Sequence, residues 1–270
     1  PIIGVIADRV AIKKTLLWIY MAGGSLFTVL AFFSAYTPAP WAWLLGTFML
    51  GNIGFAGSLV FYNSLLPHIA PNRESLDDIS SRGFAYGYIG GGLLLLIHLG
   101  LNMATSGTDI ADLVTRISLG SIGIWWFFWA IWTLKVVPEP PVHNEIKGLN
   151  ARSATRMAIS ELKKTFRELR RFRVISIYLM AYLLFNDGIQ TVMAIAGAFA
   201  ADTLGISLTF NMLTILIIQF VAAGGAMGFS RLAYFTTTKG ALTVSLIGWV
   251  FIVIMGIAIA PLEPAHHSDH

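Results

Sequence analysis

The chain has 270 residues, of which 56% are hydrophobic and only 12% are charged, about half of the roughly 25% charged residues found in ordinary soluble domains. This composition places it among membrane proteins. It contains no cysteine, which excludes disulfides, thiolate metal sites and cysteine nucleophiles. The net charge of +4 points to nucleic acid only if the basic residues cluster on a soluble surface.

The chain starts at Pro1, and residues 1–7 are predicted to be the end of a helix whose beginning is absent. A charged turn follows within GVIADRVAIKK at residues 4–14. Seven later segments have the roughly 20 apolar residues that a helix needs to cross a bilayer. They must be helices, because lipid offers the backbone no hydrogen-bond partner. The seven predicted spans are 15–35, 41–66, 84–103, 117–134, 174–201, 208–229 and 241–260.

The loops between these spans carry a strong charge asymmetry. Consecutive loops alternate sides of the membrane, and all the Lys and Arg residues except Arg116 then lie on one side. By the positive-inside rule that side is cytoplasmic. The basic balance therefore reflects membrane topology, and no nucleic-acid partner is predicted.

The one long polar segment, 135–173, lies on this basic side. It opens with VVPEPPV, which cannot continue a helix. An amphipathic helix suited to an anionic cytoplasmic leaflet is predicted after it. It is interpreted either as a connector that lies along the membrane or as a regulatory element. Its apolar positions are Ile159, Leu162, Phe166 and Leu169, and its basic positions are Lys163, Lys164, Arg167, Arg170 and Arg171.

The charged turn has a weaker copy near the other end of the chain. GVIADRVAIKKTL at 4–16 aligns with SRLAYFTTTKGAL at 230–242 at a constant offset, which pairs Lys13 with Lys239. Two equivalent cytoplasmic turns in the same orientation indicate parallel repeats, as in transporters made of two six-helix halves. Chance similarity of two short basic loops is the alternative.

These motifs resemble a known family. G-x3-D-R-x3-K-K is similar to a loop signature of the major facilitator superfamily. YNSLLPHIAP at 62–71, DDISSRGFAYGYIGGGLLL at 78–96 and FNDGIQTV at 185–192 resemble the vacuole-effluxer branch, the autophagy-related amino-acid effluxers and their prokaryotic relatives.

The resemblance implies an all-α polytopic membrane protein with a partial major facilitator fold, from the end of helix 2 to helix 9 of an expected twelve. The remaining helices of the same full-length chain would be its partners, with the lipid bilayer, a small solute and a candidate coupling proton. The predicted domains are the rest of the N-terminal half at 1–136, a cytoplasmic central loop at 137–173 and the first part of the C-terminal half at 174–270.

Two positions depart from the superfamily pattern. Tyr234 and Phe235 replace the acid and base of the first turn, so that a charge lock is expected only in the first copy. The glycines of the third span resemble an antiporter motif, yet Tyr88 stands where that motif has proline. An antiport assignment is therefore not predicted.

Asp187 is the only formally charged residue inside the seven predicted spans. A carboxylate at the bilayer centre costs about 2.5–3.5 kcal/mol and normally faces a cavity or a partner. We expect it either to carry a coupling proton or bind a substrate ammonium, with Asn186 and Gln190 beside it, or to pair with a neighbouring helix. Asn52 in the second span is a candidate solute ligand or makes a hydrogen bond to a neighbouring helix. His98 in the third span is expected to make one interhelical hydrogen bond, with proton relay as the alternative.

The resemblance implies a conformational latch formed by Gly4, Asp8, Arg9 and Lys13. The simpler interpretation is a helix-terminal charge cluster that obeys the positive-inside rule. HHSDH at 266–270 suggests metal binding, but a solvated tail is favoured and no metal site is predicted. No cofactor is predicted either, because no nucleotide-binding signature is present.

The sequence therefore predicts a secondary transporter rather than an enzyme, with amino-acid efflux by alternating access as the activity that the resemblance implies. The short loops favour the bacterial cytoplasmic membrane over a vacuolar one. A seven-helix receptor is the alternative, and an intramembrane enzyme ranks last because Asp187 has no second buried acid beside it.

Overall fold

The computed structural model describes residues 2–70, 72, 75–142, 151–169, 172–202 and 205–259. In these residues all regular structure is helical. A 3-10 helix, Ala31–Tyr36, continues α2, and the nine α-helices in the described part of the chain are α1 (Ile2–Ala7), α2 (Lys13–Leu30), α3 (Pro40–Ile69), α4 (Ser75–Thr105), α5 (Ala111–Val136), α6 (Ala151–Leu169), α7 (Arg173–Asp202), α8 (Leu208–Phe235) and α9 (Thr238–Ile259).

Seven of the described helical segments are long and apolar enough to cross a membrane, as the sequence predicts. They correspond to α2 with the 3-10 helix, to α3, α4 and α5, and to α7, α8 and α9. The chain is thus an all-α, multi-pass membrane protein. Many of its large apolar side chains are exposed on these helices, which is expected where helices meet lipid rather than water.

Contacts group the described residues into two compact units. Unit 1 takes its residues from Pro1–Leu76 and Gly100–Arg171, and unit 2 from Asp77–Leu99 and Phe172–His270. The units follow contacts made within this chain, whereas the predicted domains follow the sequence repeat. The domain boundaries at 136 and 173 therefore stay a prediction.

In unit 1, α2 packs against both α3 and α5. Close approach is possible because glycines face the neighbouring helix, and small residues are what membrane helices use to bring their backbones together. A Cβ added at Gly54 of α3 would overlap the backbone of Gly24 in α2, and one added at Gly123 of α5 would overlap the backbone of Ser25.

The end of unit 1 that carries the charged turn has its own apolar cluster. Ala7, Leu17, Phe61 and Leu65 are buried together. Because Leu17 belongs to α2, and Phe61 and Leu65 to α3, this cluster ties the short helix α1 to two membrane-spanning helices. Residues 1–7 were predicted to be helical, and α1 confirms this for Ile2–Ala7. That they are the end of a longer helix stays a prediction.

In unit 2, α8 packs against α9 and also contacts α7. The Asn211 side chain of α8 donates a hydrogen bond to the Gly197 carbonyl of α7 at 3.1 Å. Gly91 and Gly92 of α4 lie against Gln219 of α8, where an added Cβ would have neighbours at 3.2 and 3.3 Å.

The predicted glycine face of the third span is only partly used in the described residues. A Cβ added at Gly83 or Gly87 would meet no described atom within 4 Å. On this face, Gly91 therefore packs against α8, whereas Gly87 and Gly83, one and two turns earlier, have no described atom beside them. His98 in the same helix is buried and has an interaction partner. That it makes an interhelical hydrogen bond stays a prediction.

Candidate functional site

Asp187 lies near the middle of α7, a helix of 30 residues with no buried residue among those described. Its side chain is exposed, as is that of Gln190, while Asn186 is half-buried. No hydrogen bond or ion pair joins Asp187 to another described residue. The interhelical partner that the simpler interpretation requires is therefore not found in the described part of the chain.

The helix runs without interruption through Gly188, from Arg173 to Asp202. The glycine beside Asp187 thus does not open the backbone to a solute, as in the broken helices of some transporters. Gln190 is three residues after Asp187, which puts the two side chains on the same side of α7. A carboxylate and a neutral amide are available together there.

Asn52 lies in α3 and lines a cavity of about 880 Å³ within unit 1. The walls come from α2, the 3-10 helix, α3 and α5, and are mostly apolar. Besides Asn52, the side chains that line the cavity are Thr28, Ala31, Leu44, Leu45, Thr47, Phe48, Phe55, Leu119, Ile122 and Trp126, with Gly51 completing the wall.

Each polar side chain in this wall donates to its own helix. The Asn52 amide donates to the Phe48 carbonyl at 3.0 Å. The hydroxyls of Thr28 and Thr47 donate to carbonyls four residues earlier, both at 2.9 Å. Asn52 is exposed, and its amide oxygen has no partner among the described residues. It can therefore accept a hydrogen bond from a guest molecule in the cavity.

The charged turn at residues 8–12 separates α1 from α2, and both of its charged side chains, Asp8 and Arg9, form ion pairs. Lys13 Nζ lies 3.0 Å from an Asp8 oxygen. Arg9 Nη2 lies 3.1 Å from Glu161 Oε1 in α6. Gly4 contributes a backbone carbonyl, which accepts the Asp8 N–H at 3.0 Å. The structure thus brings together the four residues predicted as a latch.

Glu139 is the residue of this cluster that the sequence interpretation missed. It lies in VVPEPPV, and its two carboxylate oxygens accept the backbone N–H groups of Lys13 and Lys14 at 2.7 and 2.9 Å. The N-cap residue of α2, Ile12, offers no side-chain acceptor. Glu139 therefore supplies the cap from a distant segment. A lone acid between prolines, just after a span and on the basic side, was the available signal.

Arg116 is the single base predicted on the exterior face, and aromatic rings hold it in unit 1. Its guanidinium lies 5.6 Å from the ring centroid of Phe32 and 5.3 Å from that of Tyr36. Asp112, one turn earlier, accepts from Arg116 Nε at 3.0 Å. These cation–π contacts account for a basic residue on the face where the topology disfavours one.

The predicted site residues divide between the two units. Asn52 and the turn residues belong to unit 1, while Asn186, Asp187 and Gln190 belong to unit 2. Among the described residues no group of His, Cys, Asp and Glu side chains could hold a metal ion. HHSDH at 266–270 lies outside the described residues.

Comparisons with known proteins show what the whole chain is similar to. The model of the family described as "Vacuole effluxer Atg22 like" matches residues 1–264. A protein of Bacillus subtilis named "Uncharacterized MFS-type transporter YxiO" is 26% identical over 255 residues, which are 94% of this chain and 58% of that protein. The chain is thus similar to a transporter along nearly its whole length.

Fungal relatives match over shorter stretches. Autophagy-related protein 22-1 of Neosartorya fischeri is 35% identical over 47% of this chain and 21% of its own length. The protein of the same name in Penicillium rubens is 30% identical over 66% of this chain and 33% of its own length. The chain therefore spans little more than half of the Bacillus relative and a third or less of these fungal ones. No solved structure matches this chain.

Proposed function

We propose that this chain, which belongs to the family of Atg22-like vacuole effluxers, is a secondary transporter. In this proposal it exports amino acids by alternating access. Seven of the described helices are long and apolar enough to cross a membrane, and a relative that aligns with 94% of the chain is named a transporter. Both observations support transport across a membrane. The same comparisons give no support to an enzyme or a seven-helix receptor. The substrate class and the mechanism are the part of the proposal that experiment has to decide.

The observation that carries this function is Asp187. A carboxylate in the middle of a membrane helix is costly, and such residues normally serve an ion or substrate pathway unless they are paired. Asp187 is exposed on α7 and makes no hydrogen bond or ion pair with a described residue. We infer that it carries a coupling proton or binds the ammonium group of an amino acid.

Gln190 and Asn186 extend this group on α7. An amino acid presents an ammonium donor and a carboxylate acceptor, so that its binding site needs both charges or amide groups in their place. Asp187 supplies the negative charge, and the Gln190 amide can donate a hydrogen bond to a carboxylate. Asn52, with its free amide oxygen in the cavity of unit 1, is proposed as a second hydrogen-bonding group for solute.

The charged turn is proposed as the conformational latch of the transport cycle. Its contacts within unit 1 support this role, because Asp8, Arg9 and Lys13 are all ion-paired. One pair joins Asp8 to Lys13, and the other joins Arg9 to Glu161 of α6. Each pair keeps at least one partner in contact with solvent, and ion pairs at such surface positions are individually weak, at about 0–1 kcal/mol. Weak pairs suit a contact that opens and closes in each cycle.

We propose the cytoplasmic membrane of a bacterium as the location. The bacterial relative aligns with 94% of this chain, whereas the two fungal proteins align with 47% and 66%. Apart from the segment between α5 and α7, the loops between the described spans are short, which supports the same assignment.

The test is amino-acid flux in proteoliposomes that contain the full-length protein and carry an imposed pH gradient. Asp187→Asn is expected to reduce gradient-driven flux to that of protein-free vesicles. Asp202→Asn is the matched control, because Asp202 is an exposed carboxylate at the end of the same helix, and flux is expected to stay at the wild-type level.

Stability measurements separate loss of transport from loss of folding. If Asp187 serves transport, the neutral amide relieves the cost of a membrane carboxylate, and Asp187→Asn is at least as stable as the wild type. Unchanged pH-driven flux in Asp187→Asn would remove this residue from coupling. Absence of flux for every amino acid in the wild-type protein would overturn the substrate class.

A further inference from the structure

In the described structure, the apolar face of the basic helix α6 is covered along one edge and exposed along the other. α6 packs on α1, and Ala154 and Ala158 are 6% and 0% exposed. Ile159, about 100° further round the helix, is 42% exposed. Leu162, four residues after Ala158, lies between the alanines and Ile159 around the helix and is half-buried. The alanine edge therefore anchors α6 to the protein, while the Ile159 edge of the predicted apolar face stays exposed.

The anchoring contact fixes where α6 lies. Ala7 of α1 is buried in one cluster with Leu17 of α2 and with Phe61 and Leu65 of α3. These residues belong to membrane-spanning helices, near the ends that meet the charged turn. A helix packed on α1 therefore lies beside the cytoplasmic ends of the spans, at the level of the membrane interface.

The charges of α6 are sorted around the helix. Lys163, Lys164 and Arg167 are exposed, and none of them has an ion-pair partner among the described residues. Glu161 is turned to the other side, where it pairs with Arg9 at 3.1 Å. Glu168 follows Glu161 by seven residues and so shares its side. Because Glu168 is also one turn after Lys164, Lys163 and Arg167 are the basic residues of this group that lie furthest from the two acids.

We propose that α6 is a lipid-binding element that docks on the anionic phospholipids of the cytoplasmic leaflet. The strip beginning at Ile159 enters the interface, and the lysines and arginine flanking it bind lipid phosphates. Amphipathic helices with apolar residues on one face and Lys and Arg on the other bind anionic membranes in this way. Because Glu161 holds Arg9, docking of α6 also fixes the position of the charged turn.

The absence of cysteine from the chain permits a direct test of this orientation. Ile159→Cys and Ser160→Cys are made separately in the full-length protein and labelled with a polarity-sensitive fluorophore. Ser160 is exposed like Ile159 but lies about 100° away, on the basic side. Each protein is reconstituted in nanodiscs of phosphatidylcholine, with and without phosphatidylglycerol, and quenched by nitroxide-labelled lipid.

The expected result is quenching several-fold stronger at position 159 than at 160 in the anionic nanodiscs. The difference shrinks in pure phosphatidylcholine and at high salt, because the attraction to the leaflet is screened. Equal quenching at the two positions, or quenching that does not depend on phosphatidylglycerol, overturns the proposal.

A pair of double variants tests the charges. Lys163→Gln with Lys164→Gln is expected to lower the docking equilibrium roughly 30-fold, at about fivefold for each basic residue near an anionic surface. Arg231→Gln with Lys239→Gln removes the same charge from exposed positions outside α6 and is expected to leave the quenching unchanged. Equal loss in both variants also overturns the proposal. None of these measurements uses transport, so their outcome is independent of the function proposed above.

Discussion

The turn before α2 and the turn before α9 correspond in sequence, but the protein stabilises them differently. In the first copy, residues 8–12 are not helical. Asp8 pairs there with Lys13, and Arg9 pairs with Glu161 of α6. In the second copy, the equivalent positions Tyr234 and Phe235 remain part of α8 and are highly exposed. The connection between α8 and α9 therefore consists of residues 236–237 only.

The N-termini of the two following helices show the same contrast. α2 begins with Lys13 and Lys14, and two positive charges at a helix N-terminus oppose the helix dipole. Glu139 caps this end from a distant segment. α9 has a single base, Lys239, in its first turn, and it is capped by its own Thr237, whose hydroxyl accepts the Gly240 N–H at 3.0 Å.

The difference shows how topology and helix stability compete. Basic residues are required on the cytoplasmic side, yet the start of a helix is electrostatically the wrong place for them. Where two bases occur, an acid is brought in from a segment more than a hundred residues away. Where one occurs, a local hydroxyl is sufficient, and Asp77 of α4 contributes only a bond from Thr238 at 3.1 Å.

The largest expected effect comes from removing the cap of the first turn. Glu139→Ala leaves the N–H groups of Lys13 and Lys14 without their acceptor and removes the charge that balances the two lysines. We expect a loss of about 1.5–3 kcal/mol in the free energy of unfolding, the range for hydrogen bonds to charged groups. Unfolding of the purified protein by denaturing detergent, followed by circular dichroism, measures it.

Glu168→Ala is the matched control for this change. Glu168 is an exposed glutamate of α6 with no hydrogen-bond or ion-pair partner among the described residues. Its replacement is expected to change the free energy of unfolding by no more than about 0.5 kcal/mol. Equal losses in the two variants would show that Glu139 does not act as a cap.

The sequence predicts the spans well and the cap poorly, for a physical reason. A span is a local property, since about 20 apolar residues suffice to define it, and all seven were found. Even the early start of α4, at Ser75 rather than near residue 84, had a local signal. Asn72 caps it, accepting the Ser75 N–H at 2.9 Å.

Contacts between distant segments have no such local signal. Glu139 and Lys13 are 126 residues apart, and Arg9 and Glu161 are 152 apart. The sequence around one partner of each pair does not indicate which distant residue it will contact. The same holds for α6. Hydrophobic periodicity predicted its apolar face, but it did not predict that Ala154 and Ala158, at one edge of that face, would be buried.

A smaller effect is expected at the second turn. Thr237→Ala removes the hydroxyl that caps α9, and loss of an N-cap costs about 0.5–2 kcal/mol. Because this cap is neutral and exposed, we expect the lower part of that range and a smaller loss than for Glu139→Ala in the same detergent titration. Thr237→Ser keeps the hydroxyl and is expected to behave as the wild type. A loss in Thr237→Ala greater than in Glu139→Ala would reverse the proposed difference between the turns.

The smallest expected effect comes from adding the missing acid to the second turn. Tyr234→Asp places a carboxylate five residues before Lys239, the same spacing at which Asp8 pairs with Lys13 at 3.0 Å. Tyr234 is 86% exposed, so its replacement removes little packing. An exposed ion pair contributes about 0.2–1 kcal/mol, and Tyr234→Asp is expected to gain no more than this over Tyr234→Asn. A gain in stability is possible only if residue 234 can adopt a non-helical conformation, as Asp8 does just after the end of α1.

Tyr234→Asp and Tyr234→Asn are compared in the same titration. If the two variants are equally stable, the pairing in the first turn depends on its longer, non-helical connection rather than on the residues alone.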